Sequence, residues 1–219
     1  MMYNVFSFPV EITSINPNNY NKKKLIKDIE YNYNLDEDRN AWDNERSKMH
    51  HSFNDYDNKN FKYIDYEELL PLYKSEIEKY FSSFKFKQSI NYNFNIVNYT
   101  CMKSSQYMQS HYHNNSDFTA VHYLKFDKNK HKPTVFENKN TYATYIKYLR
   151  PELTELLDFT DIKNSWCMEN WGFNIDEDDF CISPSFLFHH VPKQNSDDTR
   201  ITIVLNINIE RVKKDASTK

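Results

Sequence analysis

Eight histidines occur in the chain, and their grouping is more informative than their number. His111 and His113 are separated by a single residue within a strand-like stretch, 107–113. Residues two apart on a β-strand project from the same face, so these two imidazoles can bind one divalent ion without backbone distortion. Two surface histidines on an edge strand would show the same pattern, and the pair alone does not decide between the two interpretations.

A second group of histidines ends the apolar segment PSFLFHHV (184–191). A late strand that ends in histidine can bring a third imidazole to the first two. Neighbouring residues on a strand point to opposite faces, so only one of His189 and His190 can face inward. A histidine pair at an ordinary strand end remains the alternative.

The segment RITIVLNIN (200–208) carries a cation that could bind an anionic ligand. Apolar residues alternate with the others, so one predicted face consists of Ile201, Ile203, Leu205, Ile207 and Ile209. If the second face lines a ligand cavity, Arg200 offers a planar, two-pronged donor for a carboxylate, with the hydroxyl of Thr202 beside it. If that face lies in solvent, Arg200 is an ordinary surface residue.

The elements that must position these residues begin with a helical front, 13–88. One predicted helix starts at Pro17 and has Tyr20, Leu25 and Ile29 on one face, and a second helix runs from Leu69 to Phe84. The stretch 3–12, where Val5, Phe6 and Phe8 alternate with polar positions, is predicted to be a strand or an extended segment. We interpret 35–65 as polar and loop-like, with Trp42 and Phe53 as anchors.

From residue 89 the apolar period changes to two, which indicates β-strands. The apolar parity slips by one after Ile96, as a β-bulge would cause. Further strands are predicted at 107–113, 118–126, 134–136, 173–182, 186–191 and 200–209, with a loop and short helix inserted at 139–165. Helices followed by many short strands predict a mainly β fold, a double-stranded β-helix or jelly roll (89–210) braced by N-terminal helices. We expect one domain, 1–210, and a flexible tail, 211–219.

The composition excludes several classes of function. The net charge is −3 and both signs are spread along the sequence, so no nucleic-acid partner is expected. One glycine excludes glycine-rich phosphate loops, and three scattered cysteines exclude a disulfide framework and a thiolate zinc site. No signal peptide and no apolar run of roughly 20 residues is present, so we expect no membrane partner and a cytoplasmic protein. Asn, Lys, Tyr, Phe and Ile, which AT-rich codons encode, are abundant, and this suggests the genome of a bacterium or a phage. If the chain is viral, the expected location is the host cytoplasm.

Taken in order, HYHNNSDFTAVHYL (111–124), PSFLFHHV (184–191) and RITIVLNIN (200–208) resemble a known family. They are similar to the motifs of the 2-oxoglutarate-Fe(II) oxygenases, in the phage and bacterial prolyl 4-hydroxylase-like branch. The front segment with Trp42 and SFND (52–55) is also similar to that family's N-terminal region. The order of the three motifs, with Arg200 eleven residues after His189, is more specific than any motif alone.

The resemblance implies an iron(II)- and 2-oxoglutarate-dependent dioxygenase that hydroxylates an unidentified substrate with O₂, with ascorbate as an activator. A peptidyl residue such as proline is the substrate class that the branch suggests. His111 matches the first iron ligand and His189 the distal one, which places His190 on the opposite face. Arg200 matches the residue that binds the far carboxylate of 2-oxoglutarate, Thr202 its helping hydroxyl, and Tyr123 a tyrosine near the cosubstrate.

The chain departs from the family pattern at one ligand. The usual carboxylate stands two residues after the first histidine, where this chain has His113. Asp117 is the alternative ligand, but it would lie about 13 Å from His113 along an extended strand, so we favour three histidines. His122 stands where the family commonly has a tyrosine, and we interpret it as a packing residue.

Two other functions fit the same fold. One is a cupin-like metal protein with zinc or manganese and no 2-oxoglutarate chemistry, which the presence of Arg200 and Thr202 disfavours. The other is a structural phage module, which the converging histidines disfavour. The sequence does not identify the substrate, and the loops 35–65 and 139–165 are the expected selectors.

Overall fold

The computed structural model describes residues 8–39, 47–52, 59–158 and 160–211. Four α-helices occur in these ranges: α1 (Lys22–Leu35), α2 (Leu70–Ser82), α3 (Thr141–Leu149) and α4 (Pro151–Leu156). The strands are β1 (Glu11–Ser14), β2 (His50–His51), β3 (Ile90–Met102), β4 (Met108–His111), β5 (Phe118–Lys125), β6 (Val135–Glu137), β7 (Asn170–Gly172), β8 (Asp179–Pro184), β9 (His189–Val191) and β10 (Arg200–Arg211). None of the described helices has the length and apolarity needed to cross a bilayer.

The strands form two antiparallel sheets, which confirms the predicted jelly-roll class. The major sheet has the order β1-β8-β5-β10-β3-β2 and the minor sheet the order β4-β9-β6-β7. Side chains of both sheets meet in one apolar cluster, where Tyr123 and Cys181 of the major sheet pack with Phe136 of the minor sheet. The space between the sheets is therefore lined by the inner faces of both.

Strand β10 lies in the middle of the major sheet, between β3 and β5. Its isoleucine and leucine face is fully buried from Ile201 to Ile207 against helices α1 and α2, in a cluster that includes Ile29, Tyr73 and Ile77. Its other face turns toward the minor sheet, and Arg200 and Thr202 on that face are buried as well. The alternation in the sequence therefore separates a helix side from an inter-sheet side, and neither is solvent.

The predicted β-bulge occurs in β3. Val204 pairs with Asn98 and Leu205 pairs with Ile96, so Val97 is the extra residue on β3. The bulge shifts the side-chain parity, which keeps Ile96 before it and Tyr99 after it on the helix side. Asn98 and Thr100 of β3 consequently lie on the face that is turned toward the space between the sheets.

The front of the chain is not purely helical, which corrects one prediction. Strand β1 pairs with β8 and strand β2 pairs with β3, so both add to the major sheet and cover edges that would otherwise expose unpaired backbone groups. The predicted segment 3–12 is regular only from Glu11, with 1–7 outside the described residues. Trp42 and Phe53 also lie outside them.

Three further segments differ from prediction. The stretch 173–182 is not one strand, because Asp178 adopts a positive φ of 67° and its carboxylate accepts hydrogen bonds from Tyr20 and Lys22, which turns the chain before β8. The insert 139–165 contains α3, α4 and the start of a 3-10 helix (Ile162–Cys167), more helix than predicted. Strand β10 continues to Arg211, one residue into the predicted tail, and 212–219 is not described.

Replacement of Ile203 by alanine is expected to lower the free energy of unfolding by about 2–5 kcal/mol, because it leaves a cavity under the helical layer. Ile203 is fully buried, whereas Ile209 on the same face is only partly buried, so Ile209→Ala is the matched control and should cost less. Urea denaturation followed by circular dichroism measures both. Equal losses in the two variants would contradict the burial of this face.

Candidate active site

Three histidines meet at the edge of the inter-sheet space. His111 is the last residue of β4 and lies opposite His189, the first residue of β9, in the minor sheet. His113 lies just past the end of β4, where its backbone N–H donates to the carbonyl of Ser185 at 2.9 Å. One ring nitrogen from each of the three lies within 4.8 Å of the others, so the cluster can enclose one metal ion.

Each of these rings has its Nδ1 atom beside an oxygen acceptor. His111 Nδ1 lies 2.9 Å from the carbonyl of Gln109, and His189 Nδ1 lies 2.8 Å from the carbonyl of Leu187. His113 Nδ1 lies 3.1 Å from Oδ1 of Asn206. Carbonyl oxygens only accept hydrogen bonds, so each Nδ1 donates its proton and leaves the lone pair of the neutral ring on Nε2.

Burial keeps these histidines neutral. Desolvation lowers the pKa of His111 to about 4 and the pKa of His189 to about 3. It also lowers the pKa of His113, against the opposing effect of the hydrogen bond to Asn206. A metal ion binds the deprotonated imidazole, so at neutral pH it does not have to displace a proton from any of the three.

The neighbouring candidates face elsewhere. His190 turns to the outer side of the minor sheet, where its Nδ1 lies 2.8 Å from Oε1 of Glu137, as strand parity predicts. The carboxylate of Asp117 accepts the backbone N–H of Ile209 at 2.7 Å and is not part of the histidine cluster. His122 lies on the helix side of the sheet and is bonded to the hydroxyl of Tyr73, in agreement with a packing role.

Arg200 is fully buried in the major sheet, with one part of its guanidinium unpaired. Nε donates to the carbonyl of Lys132 at 3.1 Å, and Nη2 lies 3.5 Å from the hydroxyl of Thr134. Nη1 is buried and has no hydrogen-bond partner among the described residues. The guanidinium carbon lies 5.4 Å from the centre of the Tyr123 ring. A buried cation with a free donor fits an anionic ligand, because leaving it unpaired is costly.

The other predicted cosubstrate residues lie beside Arg200. The hydroxyl of Thr202 is bonded to the hydroxyl of Thr100 at 2.7 Å on the neighbouring strand. The hydroxyl of Tyr123 accepts the backbone N–H of Thr134 at 3.3 Å.

The residues around Arg200 are connected to the histidines through Phe136. Its ring lies 5.9 Å from that of His189, and its side chain packs in the cluster that contains Tyr123. The structure therefore brings both groups of predicted site residues to one inter-sheet space.

Two residues of the site were not predicted. Asn206 stands on the inter-sheet face of β10. Its sequence position, an even number of residues from Arg200 and Thr202, already indicates the same face of the strand. Thr134, beside both Arg200 and Tyr123, follows a loop and has no distinguishing sequence pattern. Its role depends on contacts between distant segments.

Comparison with known proteins identifies the family. A family model described as a putative 2OG-Fe(II) oxygenase matches residues 98–206, about half of the chain, and the matched range contains every site residue described above. No curated protein sequence matches the chain. The family match also sets aside the two alternatives, a cupin-like metal protein and a structural phage module.

Solved structures share the fold at low sequence identity. A Pseudomonas putida prolyl-4-hydroxylase is 5% identical with a TM-score of 0.54, over 92% of this chain and 94% of that one. A Trichoplax adhaerens prolyl hydroxylase, in complex with a hypoxia inducible factor peptide fragment, is 12% identical with a TM-score of 0.52, over 91% and 83%. A collagen prolyl hydroxylase of Paramecium bursaria Chlorella virus-1 is 14% identical with a TM-score of 0.48, over 90% and 94%. The chain thus has the fold seen in prolyl hydroxylases and belongs to the 2-oxoglutarate-Fe(II) oxygenase family, as an iron(II)- and 2-oxoglutarate-dependent dioxygenase.

Proposed function

We propose that this dioxygenase hydroxylates a residue of a peptide chain, such as proline, at a centre built by His111, His113, His189 and Arg200. The observation that carries the assignment of the centre is the buried, unpaired Nη1 of Arg200, in the same inter-sheet space as three converging imidazoles. A metal cluster alone would fit many chemistries. A metal cluster together with a buried carboxylate receptor fits the binding of a keto acid to the metal.

The three histidines have the chemistry that an iron(II) site requires. Imidazole is a common ligand of iron(II), and each ring is neutral, with its proton on Nδ1 and its lone pair on Nε2. Three protein ligands would leave positions on the ion for the keto acid and O₂. When bound, iron and 2-oxoglutarate supply the oxidising power, and the products are succinate, CO₂ and the hydroxylated substrate.

The protein's own residues would orient the cosubstrate and exclude water. Arg200 would donate from Nη1 to the far carboxylate of 2-oxoglutarate, with the Thr202 hydroxyl as a second donor. The aromatic wall of Tyr123, Phe126 and Phe136 keeps this end of the space apolar. A carboxylate buried there would have Arg200 as its principal partner, which favours a dicarboxylate over a monocarboxylate.

The surface beside the histidines supports a peptide-sized substrate. His111 and His113 are partly exposed while His189 is buried, so the open side of the cluster is at β4. Tyr112, between the two, is 47% exposed and packs against Phe188, and Phe186 is 53% exposed. The similarity of the fold to prolyl hydroxylases supports the same substrate class.

The insert 139–165 also supports substrate selection by loops, because its helix α3 exposes Tyr148 and Leu149. The other expected selector, 35–65, is described only in part. The cytoplasmic location and the absence of nucleic-acid and membrane partners stay predictions.

Purified protein supplied with iron(II), ascorbate and 2-oxoglutarate is expected to form succinate slowly without its substrate. Proline-containing peptides should raise that rate and gain 16 mass units, both measured by mass spectrometry. His189→Ala should abolish succinate formation, whereas His190→Ala should preserve it, because His190 faces Glu137 on the outer side. Succinate no higher than in a metal-free control would contradict the proposal.

His113→Ala is expected to lose iron(II) binding, whereas Asp117→Asn should keep it. His113 contributes a nitrogen to the cluster, while Asp117 is bonded to the backbone of β10. Anaerobic calorimetric titration measures both affinities. Metal retention in His113→Ala together with loss in Asp117→Asn would reverse the ligand assignment.

Arg200→Ala is expected to keep the metal but to weaken 2-oxoglutarate binding by about 2–5 kcal/mol, the usual cost of truncating one member of a buried charge pair. Arg200→Lys should recover only part of that loss, because lysine lacks the fork that binds a carboxylate at two points. Titration of 2-oxoglutarate into the metal-loaded protein measures the change. Unaltered affinity in a folded Arg200→Ala variant would exclude Arg200 as the receptor.

A further inference from the structure

The three histidines differ in what holds their rings. His111 and His189 each donate from Nδ1 to the carbonyl two residues earlier in the chain, Gln109 and Leu187 respectively. Each acceptor is a backbone carbonyl of the segment that carries the histidine itself, so it is present whatever the side chains of that segment are. His113 instead donates to a side chain 93 residues away, Oδ1 of Asn206.

His113 also lacks the support of a regular strand. Strand β4 ends at His111, and the backbone at residue 113 is fixed by one hydrogen bond to the carbonyl of Ser185. That bond sets the position of the main chain but not the rotation of the ring. The contact with Asn206 sets the rotation, and it also fixes which nitrogen carries the proton.

Asn206 is itself held in a rigid place. It lies on the central strand β10, in register with Thr119 of β5 on one side and Asn95 of β3 on the other. Its side chain shares the inter-sheet face with Thr202 and Arg200. An acceptor on such a strand can orient a ring that extends from a less regular segment.

We infer that Asn206 is a positioning residue that holds His113 as the third metal ligand, by accepting Nδ1–H and directing Nε2 toward the other two histidines. The inference rests on the metal site of the proposed function and not on its substrate or cosubstrate. A carboxylate ligand at position 113 would present an oxygen to the metal in either orientation of its group. An imidazole presents the correct nitrogen in only one tautomer and one ring orientation, so it needs such a partner.

The test begins with the metal-free protein, in which ¹⁵N NMR of the histidine rings reports the tautomer of each. Wild type should show His113 protonated at Nδ1. Asn206→Leu, of similar shape but without an acceptor, should shift His113 toward the Nε2–H form, which the histidine side chain prefers in water. Asn206→Asp keeps the acceptor and should retain the Nδ1–H form when measured at pH 8.

Metal affinity is the second measurement, by titration with cobalt(II) under the same conditions. Asn206→Leu should weaken cobalt binding about 10- to 100-fold, the usual effect of removing a partner of a metal-bound histidine, and Asn206→Asp should not. Asn208→Leu is the matched control, because Asn208 is the next residue outward on the same face and pairs with Asn93 in the sheet. It should change neither the tautomer nor the affinity.

An unchanged tautomer and affinity in folded Asn206→Leu would overturn the inference, as would equal losses in Asn208→Leu or loss of the tautomer in Asn206→Asp. The inference is distinguishable from the proposed function. A tautomer shift and cobalt loss in Asn206→Leu, with a wild type that forms no succinate, would support the positioning role and contradict only the oxygenase assignment.

Discussion

The burial of strand β10 on both of its faces is the constraint on which the rest of the structure depends. One face supplies an aliphatic surface that is covered by α1 and α2, and the other supplies Arg200, Thr202 and Asn206 to the space between the sheets. Because side chains alternate strictly, a shift of one residue in register would move the guanidinium into the apolar layer and the isoleucines into the site. Packing of the helices therefore fixes the position of the polar residues.

The neighbouring strands are adapted to the same constraint. The bulge at Val97 lets β3 stay aligned with β10 while its alternate apolar residues from Ile90 to Cys101 stay on the helix side. On the helix side of β5, His122 is buried and bonded to Tyr73, which connects the sheet to α2 through a polar contact. Such a contact has a preferred direction, so it restricts how the helix lies on the sheet more than apolar packing would.

The parts of the fold that could be predicted from the sequence are those with a strong local period. The alternation of β10, the parity slip in β3 and the second helix each follow from the spacing of apolar residues, and each occurs in the structure. Strand β2, with two residues, is too short to show a period, and its formation depends on an available sheet edge. The predicted strand or extended segment 3–12 overlaps β1 only at Glu11 and Ile12. The turn before β8 depends on Asp178, whose partners Tyr20 and Lys22 are more than 150 residues away in sequence.

The site residues likewise divide into those that local sequence motifs identify and those that only the fold reveals. His111 and His189 stand at strand ends in motifs that can be read locally, and so does Arg200. Asn206 and Thr134 become recognisable only when the fold has placed them beside His113 and Arg200, because neither residue type is unusual on a strand or in a loop. The choice between His113 and Asp117 depends on the backbone N–H of Ile209, which binds the aspartate and removes it from the cluster.

If His113 is the third ligand, as we propose, the centre would have an unusual distribution of charge. Three neutral imidazoles would leave iron(II) one charge more positive than the usual set with a carboxylate. Glu137, which acts electrostatically on His111 and His189, is bonded on the outer face to His190, Ser110 and Lys139 and is not part of the histidine cluster.

The additional positive charge would favour binding of the cosubstrate but would disfavour activation of O₂. At the proposed centre, the positive metal at one end and the buried Arg200 at the other would both favour a dianionic cosubstrate between them. A more positive iron would also be harder to oxidise, so O₂ activation would be slower than at a carboxylate-containing centre. The neutral amide of Asn206 preserves this balance, because a carboxylate in its place would make His113 a more basic ligand and return part of the missing negative charge to the metal.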